Sequence, residues 1–227
     1  MNSNLPPLAD AWALLGIALV LCAVGMRGLR WFLRLALPGG WQKTKTTWVL
    51  IALLLMTLAA LLAWPVGEAQ LPMAAYVRGI SSDLSVSLVL LALFDMACCA
   101  GPLKQAQQRC WPAQEFSTFA AVVAVAAFIL YPLALGAGNW DPYRLGWAGN
   151  AAPLLLVLLL LCGVCLLRFR LWLLPVLVAL AIAGWSVGLL ESGNLWDYLF
   201  DVWLALLCLG YTLRRLYKTG FARGVRQ

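Results

Sequence analysis

The most informative property of this sequence is the absence of histidine, which occurs nowhere among its 227 residues. This absence excludes bis-histidine haem ligation, most catalytic zinc sites, a Ser–His or Cys–His nucleophile pair and a histidine proton relay. A P-loop of the form G-x-x-x-x-G-K-[ST] is missing as well, and so is an acidic metal-binding motif like that of lipid-headgroup transferases. We therefore expect no metal, no cofactor and no catalytic residue, and favour a non-catalytic protein over an enzyme.

Charged side chains are also scarce, at 11% of the sequence, whereas 64% of the residues are hydrophobic. A soluble domain has about 25% charged and about 45–50% apolar residues. Because so few polar side chains are available to coat a soluble globule, we expect lipid to surround much of the chain. The net charge of +7 then reflects basic residues beside lipid headgroups. Nucleic-acid binding is excluded, because no basic cluster with interleaved aromatic residues lies on a soluble element.

Long apolar segments define the predicted fold, since a helix needs about 20 mostly apolar residues to cross a bilayer. Seven segments predict an all-α, polytopic membrane helix bundle that forms one domain, residues 1–227. They are residues 8–26, 48–66, 84–101, 116–135, 153–167, 171–190 and 195–213. The fifth and sixth segments are separated only by residues 168–170, which we interpret as a tight hairpin with Arg168 and Arg170 at the headgroups. Pro175 then falls near the start of a helix, where proline is tolerated.

The basic residues predict the orientation. Of the 16 Lys and Arg residues, 14 lie in segments 27–47, 102–115, 168–170 and 214–227, and only Arg78 and Arg144 lie on the other side. The positive-inside rule therefore predicts an outer N-terminus and a cytoplasmic C-terminus. No Lys or Arg precedes the first apolar run, so we expect a retained helix there rather than a cleaved signal. The short loops favour a bacterial-type inner membrane.

Residues 27–37 carry basic side chains at helical spacing. Arg27, Arg30 and Arg34 recur at i, i+3 and i+7, and Trp31 and Phe32 lie between them. This pattern predicts a basic amphipathic helix at the inner surface, ended by the proline and glycines of residues 38–40. The alternative is a simple extension of the first span beyond the bilayer.

The seven cysteines all map to the predicted cytoplasmic half, so no outer disulfide framework is expected. Cys162 and Cys165 form a C-x-x-C pair without the context of a redox motif. We interpret them as small apolar residues of a helix.

Asp95 lies near the middle of the third predicted span, where an acid costs roughly 2.5–3.5 kcal/mol on insertion scales. It must face the bundle interior, carry a proton or meet a cation. One hypothesis makes it a proton or ion site. The other, which we favour, makes it a carboxyl group that ties helices together.

Polar residues also collect at the predicted outer side. Asp197 and Asp201 are four residues apart, so on one helix they would share a face, with Asp201 a turn deeper in the bilayer. Arg78 and Arg144 are their expected partners. The hypothesis is an outward-facing binding cavity lined by Arg78, Asp83, Asp141, Arg144, Glu191, Asp197 and Asp201. The alternative is a set of loop ion pairs and helix caps, in which Asp83 is an N-cap.

Residues Tyr76–Ser87, YVRGISSDLSVS, contain a Gly-x-x-x-Asp-Leu-Ser pattern formed by Gly79, Asp83, Leu84 and Ser85. This segment resembles a stretch of the membrane domains of lipoteichoic-acid-synthase-type and phosphoethanolamine-transferase-type envelope enzymes, where the pattern enters a span from the outer side. Those enzymes carry a large outer catalytic domain, for which this sequence has no counterpart. The resemblance implies a membrane module without its catalytic half that is a partner of an envelope enzyme, and it transfers no catalytic residue.

Three functional hypotheses follow. The first is a non-catalytic membrane subunit or accessory protein of cell-envelope lipid or glycan assembly, with membrane lipids and a larger membrane protein as its partners. The second is a small proton-coupled transporter that uses Asp95 and Asp201. The third is an intramembrane lipid-headgroup transferase with an Asp/Arg site.

Overall fold

The structure is a computed structural model that describes residues 8–36, 45–68, 70–100 and 113–224. It is mostly helical, which confirms the predicted all-α class. The helices in chain order are α1 (Leu8–Ala36), α2 (Lys45–Ala63), α3 (Met73–Ser81), α4 (Val86–Ala100), α5 (Ala113–Ala134), α6 (Ala152–Phe169), α7 (Leu173–Ser186), α8 (Leu195–Leu199) and α9 (Val202–Gly224). Short 3-10 helices cover Pro142–Gly146 and Ala148–Asn150, and strands β1 (Pro65–Val66) and β2 (Leu71–Pro72) form one antiparallel hairpin.

Three helical segments in the described part of the chain are long and apolar enough to cross a membrane. They are Leu8–Leu29, Gln114–Ala134 and Ala152–Phe169. Two shorter apolar helices, Val86–Ala97 and Leu173–Ser186, fall within the predicted third and sixth spans. In the segment of α6, only 17% of the residues are buried inside the structure, so its apolar side chains need a lipid environment or another protein to cover them. Length and composition therefore identify a membrane protein.

The described residues group into two compact units. Unit 1 comprises residues from 1–84 and 88–110, and unit 2 comprises residues 85–87 and those from 111–227. Helices α1, α2 and α3 and most of α4 belong to unit 1. Helices α5 to α9 and the start of α4 belong to unit 2.

In unit 1, α1 packs against both α2 and α3. Gly16 of α1 permits a close approach to α4, because a Cβ atom on this glycine would lie 2.9 Å from Cγ2 of Val89. Further along α1, the buried Met26 packs against Leu55 and Met96. Small residues at helix contacts are typical of membrane bundles, where close van der Waals packing drives association.

The first helix is longer than the span that the sequence predicts. It runs without interruption from Leu8 to Ala36, and Arg27 lies within it. The separate basic helix expected over residues 27–37 is therefore not a distinct element. Its described part, up to Ala36, continues α1, as in the alternative interpretation.

In unit 2, α5 packs along α9, and α7 packs against α5, α6 and α8. The centre of this unit contains small or aliphatic side chains that are fully buried. They include Ala120, Ala181, Leu204 and Cys208, each with 0% exposure. Alanine and cysteine at these positions let the helix backbones approach closely.

A tight turn separates α6 from α7, as the hairpin prediction requires. Arg170 adopts a left-handed conformation with φ 55°, and the backbone N–H of Leu171 donates to the carbonyl oxygen of Cys165 at 2.9 Å. This is the hydrogen-bond pattern that ends many helices. Pro175 is the third residue of α7, within the first turn, where its missing N–H has no partner to lose.

The prediction of one continuous helix over residues 195–213, the seventh span, is wrong. Helix α8 ends at Leu199, and Phe200 is extended with φ −159° and ψ 148°. Oδ1 of Asp201 then accepts a hydrogen bond from the N–H of Leu204 at 2.7 Å, so Asp201 caps α9. An aspartate whose side chain binds nearby backbone N–H groups competes with the helix, which explains the break. Helix α9 then continues past residue 213 to Gly224.

Candidate functional site

Two segments with similar sequences, 139-NWDPYRLGW-147 and 194-NLWDYLFD-201, lie against each other in unit 2. The side-chain amide of Asn194 donates to the carbonyl oxygen of Tyr143 at 3.0 Å, and the indole N–H of Trp196 donates to that of Pro142 at 3.1 Å. An isolated antiparallel bridge joins Trp147 to Asn194. We call residues 140–147 and 192–197 the Trp–Asp cluster.

Asn194 is the polar centre of this cluster and is fully buried. Its Oδ1 atom accepts a hydrogen bond from the N–H of Trp196 at 3.0 Å, so it also caps α8. Gly146 makes room for it, because a Cβ atom at position 146 would overlap the Asn194 amide and Cδ1 of Trp196. A buried amide is stable only when its hydrogen bonds are made, and both the oxygen and the nitrogen of Asn194 have partners.

Asp197 is held by hydroxyl groups. The phenol of Tyr143 reaches its two carboxylate oxygens at 2.9 and 2.8 Å, and the hydroxyl of Ser192 donates to Oδ2. Burial and the hydrogen bond to Asp197 raise the pKa of Tyr143 well above its usual value, so the phenol stays protonated and continues to donate. Asp197 forms no ion pair within the described residues.

Asp141 begins the first 3-10 helix. One of its carboxylate oxygens accepts a hydrogen bond from the N–H of Tyr143 at 2.9 Å. Asp141 and Asp197 therefore both bind Tyr143, one through its backbone and the other through its side chain. These contacts fix the conformation of the loop that carries Trp140, Arg144 and Trp147.

Asp201 does not belong to this cluster. Its two carboxylate oxygens accept backbone hydrogen bonds from Ser85 at 2.6 Å and Leu204 at 2.7 Å. The expected shared face with Asp197 does not exist, because Phe200 interrupts the helix between them. The carboxylate instead joins the start of α4 to the start of α9 within unit 2.

Arg78 and Asp83 form a separate arrangement in unit 1. The Arg78 guanidinium group lies 2.7 Å from Asp83 and 2.6 Å from Asp10, and these three side chains are at most about one-third exposed. Asp83 is thus in an ion pair rather than being the helix cap of the alternative interpretation. Asp10 was not among the predicted site residues, although it directly precedes the main apolar run of the first span.

The seven predicted cavity residues therefore fall into several groups. Asp141 and Asp197 both bind Tyr143. Arg78 and Asp83 pair with each other, and Asp201 binds two backbone N–H groups. Arg144 and Glu191 are exposed, and no ion pair joins Arg144 to a carboxylate of the described residues. Tyr143, Ser192 and Asn194 were not predicted. The Asn, Trp, Asp and Tyr residues that recur in the two segments were a signal for Tyr143 and Asn194, but not for Ser192, which precedes the second segment.

Asp95 forms an ion pair with Arg27 in unit 1. Nε and Nη2 of Arg27 donate to its two carboxylate oxygens at 2.6 and 2.7 Å, which is the parallel two-bond geometry of a strong Arg–carboxylate pair. The pair ties α1 to α4. Sequence reasoning placed Arg27 at the inner end of the first span and Asp95 toward the same side, but did not pair them.

No protein-family model matches the chain, and no curated protein or solved structure is similar to it.

The Trp–Asp cluster combines a network of hydrogen bonds with exposed aromatic and basic side chains. Trp140 and Trp147 are 58% and 47% exposed, and Arg144 is exposed beside them. In the parts of the chain that the structure describes, no group of His, Cys, Asp or Glu residues is arranged to hold a metal ion. The exposed indole rings can make aromatic contacts, and the exposed guanidinium group can pair with an anion.

Proposed function

We propose that this protein is a non-catalytic integral membrane subunit or accessory protein that binds a larger membrane protein or a lipid headgroup through the Trp–Asp cluster. The observation that supports this most is the arrangement of Trp140, Arg144 and Trp147 on a loop fixed by Asn194 and Asp197. Tryptophan and arginine contribute more binding energy per residue than other types at interfaces. A preorganised loop loses little conformational entropy on binding.

The proposal includes the arrangement in the membrane. We propose about seven spans in an inner membrane, with the N-terminus outside and the C-terminus in the cytoplasm. The distribution of 14 of the 16 basic residues supports this orientation. The Trp–Asp cluster then lies at the outer surface, where tryptophan side chains are favoured at the headgroup level.

We also propose a role in envelope lipid or glycan assembly. Its support is the resemblance of Tyr76–Ser87 to the membrane domains of lipoteichoic-acid-synthase-type and phosphoethanolamine-transferase-type enzymes. In this segment Arg78 and Asp83 bind each other. The Asp83 side chain thereby stabilises the connection between α3 and α4, which suits a scaffold element.

The alternative functions draw on Asp95, Asp201 and Arg78. A proton-coupled transporter needs a carboxyl group that gains and loses a proton during the cycle. Asp95 is engaged by Arg27, and Asp201 by two backbone N–H groups, so both have structural roles in this conformation. An Asp/Arg transferase site would use Arg78 and Arg144, and the guanidinium group of Arg78 already pairs with Asp10 and Asp83. These contacts favour the accessory protein over both alternatives.

The test is affinity purification of the tagged chain in mild detergent, with mass spectrometry of co-purifying proteins and lipids. The variant W140A/W147A removes the exposed aromatic side chains of the cluster. The matched control is W31A/W64A, because Trp31 and Trp64 are 66% and 65% exposed but lie outside the cluster. We expect the control to retain the partner or lipid and W140A/W147A to lose it.

Two results would overturn the proposal. One is the absence of any co-purifying protein or lipid from the unaltered chain. The other is equal loss of the partner from both double variants, which would show that the cluster has no special part in binding. Thermal unfolding of each variant in the same detergent verifies that the fold is intact.

A further inference from the structure

We propose that unit 2 carries a docking surface for anionic membrane phospholipids at the end of α6 opposite the Trp–Asp cluster. Two groups of basic side chains form this surface, which we call the basic end. One group lies in the last turn of α6 and in the turn that follows it, and the other lies in the C-terminal half of α9. The basic end comprises Arg168, Arg170, Arg214, Arg215 and Lys218. This inference goes beyond the proposed function, since it concerns a different part of the protein.

Contacts through the start of α5 bring the two groups to the same end of unit 2. The Glu115 carboxylate accepts hydrogen bonds from the N–H groups of Trp172 at 3.0 Å and Leu173 at 2.7 Å, directly after the α6–α7 turn. The neighbouring Phe116 ring packs edge-on against the Tyr211 ring, with centroids 4.9 Å apart. Tyr211 lies one turn before the basic residues of α9, so α5 connects both groups.

The charges of the basic end are available to an outside ligand. All five side chains are exposed, and none of them is in an ion pair with another described residue. The acidic residue of the same region, Glu115, uses one carboxylate oxygen to hold the start of α7. A surface with this excess of positive charge is complementary to phosphate-bearing headgroups.

Exposed aromatic side chains favour a membrane lipid as the occupant. Phe169, Trp172 and Tyr217 are 52%, 60% and 72% exposed, and the Arg168 guanidinium lies 5.7 Å from the centre of the Phe169 ring. Aromatic rings beside the end of an apolar helix are typical of the headgroup region. Helix α6 is a candidate membrane span that ends at Phe169, so its flanking arginines lie at headgroup depth.

The experiment measures lipid preference on the purified full chain in detergent by native mass spectrometry. The probes are phosphatidylglycerol and phosphatidylcholine with identical acyl chains, supplied together. The test variant replaces all five basic residues by glutamine, as R168Q/R170Q/R214Q/R215Q/K218Q. One control, R168K/R170K/R214K/R215K, keeps the charge.

We expect the unaltered chain to retain more phosphatidylglycerol, and the glutamine variant to lose about fivefold or more of this preference, because each basic residue near the surface contributes to anionic lipid binding. Raising NaCl to about 0.5 M before analysis should reduce the preference of the unaltered chain. The lysine control should stay within about twofold of the unaltered chain, since it keeps the positive charge of the basic end.

The inference is overturned if the unaltered chain shows no preference, if the glutamine variant keeps it, or if the lysine control loses it as fully as the glutamine variant does. Its outcome is separable from that of the proposed function. W140A/W147A keeps all five basic residues and should still retain phosphatidylglycerol over phosphatidylcholine, whatever it loses at the Trp–Asp cluster. The glutamine variant should still capture a partner protein that binds at the Trp–Asp cluster.

Discussion

The hydroxyl group of Tyr143 contacts both carboxylate oxygens of Asp197, at 2.9 and 2.8 Å, across 54 residues of sequence. This bond joins the loop before α6 to the short helix α8. Because Asp197 also accepts from Ser192, and Asn194 binds the Tyr143 carbonyl, the conformation of the loop depends on a small network rather than on a hydrophobic core. Networks of this kind are sensitive to the loss of one member.

The variant Y143F tests this network. It leaves Asp197 without its phenol donor, and we expect a loss of about 1–3 kcal/mol in the free energy of unfolding at neutral pH. The control is Y76F, because the Tyr76 hydroxyl binds the carbonyl oxygen of Val66 at 2.9 Å in an exposed position. We expect the control to cost less. Chemical unfolding in detergent measures both, and an equal cost in the two variants would contradict the network.

The same variant should show a characteristic pH dependence. The pKa of Tyr143 is raised in the folded protein, whereas tyrosine in the unfolded chain has a pKa of about 10. The stabilising contribution of the phenol is therefore complete below about pH 10 and is lost progressively as the pH rises through the folded pKa. The difference in stability between the unaltered chain and Y143F should be constant from about pH 7 to pH 9 and should shrink above pH 10.

A methyl group at position 146 should separate the two segments of the Trp–Asp cluster. In G146A the added Cβ meets the buried Asn194 amide, and overpacking of this kind costs about 1–3 kcal/mol. The neighbouring G149A is the control, since a Cβ at position 149 meets nothing within 4 Å. A lower unfolding midpoint for G146A, with G149A unchanged, is the expected result. Equal midpoints would contradict the close packing of Asn194 against Gly146.

Two substitutions of Asp201 separate its structural role from proton transfer. D201A removes both backbone contacts, one of which is the α9 cap, and losing a cap alone costs about 0.5–2 kcal/mol. D201N keeps one acceptor oxygen, so we expect a smaller loss of stability in unfolding measurements. If D201N left stability intact but abolished a transport activity of reconstituted protein, the transporter would replace the accessory protein as the better proposal.

The Arg27–Asp95 pair can be tested by a double-mutant cycle, in which the unfolding midpoints of the single and double variants are compared. R27Q leaves the Asp95 carboxylate without its cation, and we expect a lower unfolding midpoint in detergent. D95N in the R27Q background removes the unpaired charge, so the double variant should regain part of the loss. R168Q, which changes an arginine outside any ion pair of the described residues, serves as the control. Strictly additive effects of R27Q and D95N would contradict the pair.

Local signals in the sequence were sufficient for part of the fold. The charged residues Arg168 and Arg170 interrupt an otherwise apolar run, so the turn between α6 and α7 was predictable. The break at Phe200 was not, because an aspartate in an apolar segment is equally compatible with a helix interior and with an N-cap. The N–H group that completes the Asp201 site belongs to Ser85, 116 residues earlier, and no local pattern encodes that contact.

The candidate site was predictable only in part, for the same reason. The scarcity of outer basic residues indicated Arg78 and Arg144 as ion-pair partners, and Arg78 pairs with Asp83 and with Asp10, a residue that was not predicted for the site. Asn194 is fully buried although asparagine is usually a surface residue, and its burial depends on the space left by Gly146. Partner choice among distant polar residues is set by tertiary packing, which a single sequence does not display.

The measurement that tests the account most directly is cysteine labelling of intact cells with a membrane-impermeant thiol reagent. Gly149 and Arg170 flank opposite ends of α6, and the sequence places no native cysteine on the predicted outer segments. We predict that G149C is labelled in intact cells, while the unaltered chain and R170C are labelled only after lysis. Labelling of R170C in intact cells, with G149C protected until lysis, would place the Trp–Asp cluster in the cytoplasm and contradict the proposed outer binding face.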